Sequence, residues 1–150
     1  MPYILLIEDN QDNADLIMRT LASLELPIRH CLRGLEGSRA AAQERPTLIL
    51  LDFNLPDVDG RNLILTLKRS LGGTNAPPII AVTARANHVE QTLAQRFGVD
   101  AFISKPFEPQ MLLDTVVRFL SKAGNMPEKD AKPKSEPAAA QPVSVQQPAD

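Results

Sequence analysis

The stretch TLILLDFNLPDVDG (47–60) opens on five residues whose last four are all apolar, breaks at an aspartate, and closes on Asp-Gly. A run that short, with no polar alternation, reads as a strand covered on both faces. Two more runs have the same form: YILLI (3–7), followed by Glu8-Asp9-Asn10 and then Asp12, and PIIAV (78–82), followed by Thr83. IRHCL (28–32) and AFISK (101–105) are weaker strand candidates of similar length. Between the runs the apolar residues take up helical spacing. Ala14, Ile17, Leu21 and Leu24 share one face, as do Leu63, Ile64, Leu67 and Leu71, and then Leu112, Val116, Phe119 and Leu120. Val89, Leu93 and Phe97 make a thinner stripe, residues 35–44 a short Ala-rich helix, and Glu108-Pro109 opens the last helix. Five β–α units in a row predict an α/β fold, a doubly wound parallel sheet with helices on both faces.

Such folds bind ligands outside the carboxyl ends of their strands. At those ends stand Glu8 and Asp9 after the first strand, Asp52 and Asn54 after the third, Thr83 after the fourth, and Lys105-Pro106 after the fifth. Each residue taken singly is ordinary for a cap or turn, and Asn10, Asp12 and Asn13 include a helix cap. Together, three carboxylates repel, and a divalent cation relieves that repulsion without protonation. All-oxygen ligation suits Mg²⁺ or Mn²⁺. A metal, the Lys105 ammonium and the Thr83 hydroxyl around a carboxylate form a receptor for a phosphoryl group, and the carboxylate itself can accept it as an acyl phosphate.

Composition narrows the function classes. The 150 residues carry 16 Lys plus Arg against 18 Asp plus Glu, a net charge of -2, without the basic footprint of a nucleic-acid binder. One cysteine, Cys31, makes no internal disulfide and fits a reducing compartment. No apolar stretch approaches the roughly 20 residues that span a bilayer. No basic region precedes Tyr3–Ile7 as in a signal peptide, so a cytoplasmic location is expected. Cys31, His30 and His88 lack zinc-ligand spacing, and the LGGTNAPP loop (71–78) lacks the Lys-Ser or Lys-Thr of a P-loop. EDNQDN after the first strand would repel a flavin phosphate. A haloacid-dehalogenase-type phosphatase would carry D-x-D there, where this chain has Glu8-Asp9.

Residues 1–121 resemble the receiver domain of the response regulators of two-component phosphorelay systems. The resemblance rests on Glu8-Asp9, on DFNLPDVDG beside the family's D-x-x-M-P-x-M-D-G, and on Thr83-Ala84, Phe102 and Lys105-Pro106. It implies a flavodoxin-like sheet of order 2-1-3-4-5. It implies Asp52 as phosphoacceptor, with Mg²⁺ held by Asp9, by Glu8 through a water, by Asp52 and by the Asn54 carbonyl. Thr83, Ala84 and Lys105 would receive the phosphoryl group, Thr83 and Phe102 would switch, and the Lys105–Pro106 bond would be cis. Asn54 and Arg85 fall at positions that tune attack by water. The implied donor is a histidine kinase or histidine phosphotransfer protein. The implied output is a changed surface on the fourth helix, fifth strand and fifth helix, read by an unknown downstream protein; from charge and hydropathy no nucleic-acid or membrane partner is expected, and no enzymatic turnover. A receiver excised from a larger hybrid kinase, or an unphosphorylated scaffold, is the alternative.

From Lys122 onward the sequence turns Pro-, Ala- and Gln-rich, with five of the 13 prolines and no aromatic, Leu or Ile. Such a segment does not bury enough apolar surface to offset its ordering entropy, so 122–150 reads as a disordered tail or linker. Its prolines never fall at PxxP spacing.

Overall fold

The computed structural model describes residues 2–122, and the tail read from 122–150 lies, Lys122 apart, outside them. Five strands, β1 (Ile4–Ile7), β2 (Ile28–Cys31), β3 (Leu48–Leu51), β4 (Ile79–Thr83) and β5 (Ala101–Ser104), alternate with five helices. The helices are α1 (Gln11–Thr20), α2 (Gly34–Gln43), α3 (Gly60–Ser70), α4 (His88–Phe97) and α5 (Pro109–Lys122). All strand pairs are parallel, in the order β2-β1-β3-β4-β5.

The continuous apolar runs have a simple cause. Successive side chains on a strand point to opposite faces, and here both faces are covered. Leu5, Ile7, Ile49, Leu51, Ile79 and Ala81 pack with Ala40 of α2, Ile64 and Leu67 of α3, and Ala94 of α4. Ile4, Leu6, Leu48, Leu50, Ile80 and Val82 pack with Ile17 of α1 and with Leu112, Val116 and Leu120 of α5. The sheet thus separates two cores, and its C-terminal rim is where both run out.

Three helical expectations need adjustment. α1 stops at Thr20, and Leu24 reaches the core from a 3-10 turn at Ala22–Leu24. Leu71 is the C-cap of α3 rather than part of it. Of the stripe Val89, Leu93 and Phe97, only Phe97 packs against the core. Val89 is 65% exposed, and Ala94 is the residue that is fully buried. The inward face runs through Glu90, Ala94 and Phe97, at i, i+4 and i+7. Ala94 and Phe97 pack on the core, and the Glu90 carboxylate at the start of that face lies 3.4 Å from Arg61 and 3.2 Å from Arg85.

Candidate functional site

The register of the ladder builds the site. Ile7 pairs with Leu51, and the ladder runs one step further, with Asp52 N–H donating to the Ile7 carbonyl at 3.0 Å. Glu8 and Asp52 therefore leave β1 and β3 side by side. Both continue the alternation that faces α1 and α5, as does Lys105 after Ile103 on β5. This shared parity brings residues far apart in sequence to one point. The Lys105 ammonium donates to Glu8 Oε1 at 2.7 Å and to Asp52 Oδ2 at 2.9 Å. The other carboxylate oxygens take backbone donors: Asn10 N–H on Glu8 Oε2 at 3.2 Å, and Asn54 N–H on Asp52 Oδ1 at 3.1 Å. Asp9 stays exposed. Glu8, Asp9 and Asp52 each bring an oxygen within 4.8 Å of the others.

Burial and charge oppose each other here. Glu8 and Asp52 are 1% and 5% exposed. Burial pushes the Glu8 carboxyl above its ordinary range, and the nearby Asp52 adds to that, against the pull of Lys105. Burial works to lower Lys105 as well, but its hydrogen bonds to Glu8 and Asp52 hold it above the usual lysine value, so it remains an ammonium. Three carboxylates against one ammonium leave the cluster net negative. That donor set, hard oxygens with one member at the surface, fits a hydrated divalent cation such as Mg²⁺.

Thr83 follows the opposite parity, that of Ile79 and Ala81, toward α3 and α4. It is fully buried, and its Oγ1 accepts from Arg85 N–H at 3.2 Å. Phe102 lies on the same face, half-buried, its ring edge-on to Phe53 with centroids 5.7 Å apart. Ala84 is exposed beside Thr83. The Lys105–Pro106 peptide bond is cis. The rim thus has two halves, a charged cluster on one side and Thr83 with an aromatic pair on the other.

Several positioning residues are not singled out by the sequence reading. His30, on β2, donates from Nε2 to the Glu8 carbonyl at 2.7 Å. Asp57 reaches back to α2, accepting from Gly34 N–H at 2.8 Å and Leu35 N–H at 2.9 Å. Gly60 starts α3 so close to β3 that a Cβ there would lie 2.5 Å from Phe53 Cα and 2.9 Å from the Asp52 carbonyl. Of these, only Gly60 had a visible cue, the Asp-Gly that closes the quoted stretch.

Residues 4–117 match the response regulator receiver domain as a family. This chain belongs to that family. The polar-differentiation response regulator DivK of Brucella anthropi is 31% identical over 120 residues, which are 80% of this chain and 97% of DivK. The transcriptional regulatory protein GltR of Pseudomonas aeruginosa is 32% identical over 120 residues, 80% of this chain and 49% of GltR. The chain thus spans about half the length of the transcriptional regulators it matches. Among solved structures, the receiver domain of the sensor histidine kinase PA1611 of Pseudomonas aeruginosa aligns with a TM-score of 0.72 and 30% identity. That alignment takes in 79% of this chain and 97% of the other, which holds a magnesium ion coordinated in its active site cleft. Among the described residues, no helix is long and apolar enough to cross a membrane.

Proposed function

We propose that the receiver domain works as a phospho-accepting switch in which Asp52 is the acceptor. The observation that carries this is the Lys105 ammonium shared at 2.7 and 2.9 Å between Glu8 and Asp52, with Asp9 beside them at the sheet's C-terminal rim. A carboxylate oxygen of Asp52 attacks the phosphorus of a phosphohistidine. The P–O bond forms as the P–N bond breaks, and the imidazole leaves with the electron pair. Lys105 is already in contact with the attacking group and is placed to pair with phosphoryl oxygens, while the rigid strand ends fix its direction of approach. Thr83 supplies a hydroxyl and Ala84 leaves room. Phe102, half-buried against Phe53, is the aromatic able to follow Thr83 when the latter moves. Glu8, Asp9, Asp52 and the Asn54 carbonyl would hold Mg²⁺, which when bound supplies positive charge for the phosphoryl oxygens.

The donor would be a histidine kinase or histidine phosphotransfer protein, and the readout a changed α4–β5–α5 surface bound by a downstream protein. On this reading the protein is a switch and has no substrate to turn over.

The test is intact mass after incubation with a small phosphodonor such as acetyl phosphate, with Mg²⁺ and with a chelator. A single Mg²⁺-dependent phosphate adduct is expected on the wild type and none on Asp52→Asn. An equal adduct on Asp52→Asn would remove Asp52 from the role. No adduct under any condition would favour the unphosphorylated scaffold.

A further inference from the structure

A second set of charges stands at the rim, outside the carboxylate cluster. Arg85, two residues beyond Thr83, donates from Nη1 to Asn54 Oδ1 at 3.4 Å and from Nη2 to Glu90 Oε2 at 3.2 Å. Glu90, in the first turn of α4, also lies 3.4 Å from Arg61 Nη1. Arg61 is gripped elsewhere: Asp59 takes its Nε at 3.2 Å, its Nη2 at 3.0 Å and its backbone N–H at 2.8 Å. The two arginines are therefore held unequally. Arg61 is locked by a bidentate pair on its own helix start. Arg85 hangs on two long contacts, at or beyond the upper end of the N–H···O range.

Asn54 belongs to the loop that leaves Asp52, and its N–H already bonds the Asp52 carboxylate. A guanidinium touching the Asn54 side chain is thus linked to the Asp52 carboxylate through a single residue, Asn54. Its other anchor is one oxygen of the Glu90 side chain, Oε2. A phosphoryl group on Asp52 would offer more charge and several oxygens to the same fork.

We infer that Glu90 is a competitor that holds Arg85 off the acceptor site, and that Arg85 exchanges Glu90 for the phosphoryl group. The inference rests on Asp52 being the acceptor. The exchange is local, but its far end is α4. Glu90 then keeps only Arg61, through an Oε1 that is buried without a hydrogen bond among the described residues. The first turn of α4 loses a tether, in a helix whose one fully buried residue is Ala94. The pair thereby couples the state of Asp52 to the lie of α4.

The experiment measures Mg²⁺-dependent binding of beryllofluoride, a stable phosphoryl mimic, by calorimetry on wild type, Glu90→Gln, Arg85→Ala and the double variant. Glu90→Gln should tighten binding by about threefold, the size of a partly exposed ion pair that no longer has to be broken. Arg85→Ala should weaken it, and Glu90→Gln should have no effect in the Arg85→Ala background. Tightening separates competition from damage, since a loosened fold would bind less. The exchange is overturned if Glu90→Gln leaves binding unchanged or weaker, or acts equally with and without Arg85. Absence of beryllofluoride binding together with absence of an Asp52 adduct would instead overturn the acceptor reading on which the exchange depends.

Discussion

Glu8 is almost fully buried yet carries a carboxyl group whose protonation is favoured by that burial. A carboxyl whose folded pKa lies above its unfolded value binds more protons when folded. Its contribution to stability is present below the unfolded value and is lost as pH rises through the folded one. At neutral pH the charge on Glu8 is therefore a cost to the fold. Glu8→Gln keeps the shape and removes the charge. It should raise the urea midpoint at about pH 7, with the gap to wild type closing as pH falls toward the carboxylate range, where Glu8 becomes neutral. An unchanged midpoint at neutral pH would mean that Lys105 fully compensates the burial. Lys105 is raised by its partners despite burial, so its own contribution holds below the ordinary lysine value and is lost only in strong alkali. The Gln variant, lacking one partner, should show a smaller alkaline loss.

At the scale of elements, the contact least visible in the sequence is the one between α2 and the β3–α3 loop. The N-cap position of α2 is Arg33, which makes no side-chain cap. Asp57, 23 residues away from Gly34, caps the helix instead, and those backbone bonds hold its carboxyl below the ordinary range against the opposing effect of desolvation. Asp57→Ala should cost about 0.5–2 kcal/mol, the range for a lost cap, read from denaturant midpoints. The cost should shrink in acid, because a lowered carboxyl stabilises above its unfolded value and ceases to as pH falls through the folded one. This element also marks the limit of what sequence shows. β1, β3 and β4 were legible because two covered faces leave an unbroken apolar run, whereas the partly exposed edge strands β2 and β5 gave a weaker signal. α1, α3 and α5 were legible because each lays an apolar stripe on the sheet. α4 was misread because its inward face begins with Glu90, whose hold on two arginines has no signature in hydropathy. The rim residues could be picked out since carboxylates, a lysine and a threonine, each ordinary alone for a cap or turn, all fall at the same end of their strands. His30 and Asp57 could not, because their partners are backbone groups remote in the chain.

For the whole molecule, the sheet order puts β1 beside the central strand β3 and so forces Glu8, Asp9 and Asp52 together whenever the chain folds. Unfolding disperses them. A cation that binds the assembled cluster and not the dispersed chain must therefore stabilise the native state by mass action. With free Mg²⁺ at 100 times its dissociation constant the gain is about 2.7 kcal/mol, visible as a concentration-dependent rise in the melting temperature that a chelator reverses. Asp9 isolates the effect. It is exposed, unlike Glu8 and Asp52, so Asp9→Asn leaves both buried carboxylates on Lys105 and removes only the outer oxygen charge. Without Mg²⁺ its melting temperature should match wild type or slightly exceed it, through relief of like-charge repulsion. With Mg²⁺ most of the rise should be gone. Should Asp9→Asn instead keep the full rise, the stabilising ion would have to sit elsewhere on the surface, and the rim cluster would be a charge pair built for Lys105 alone.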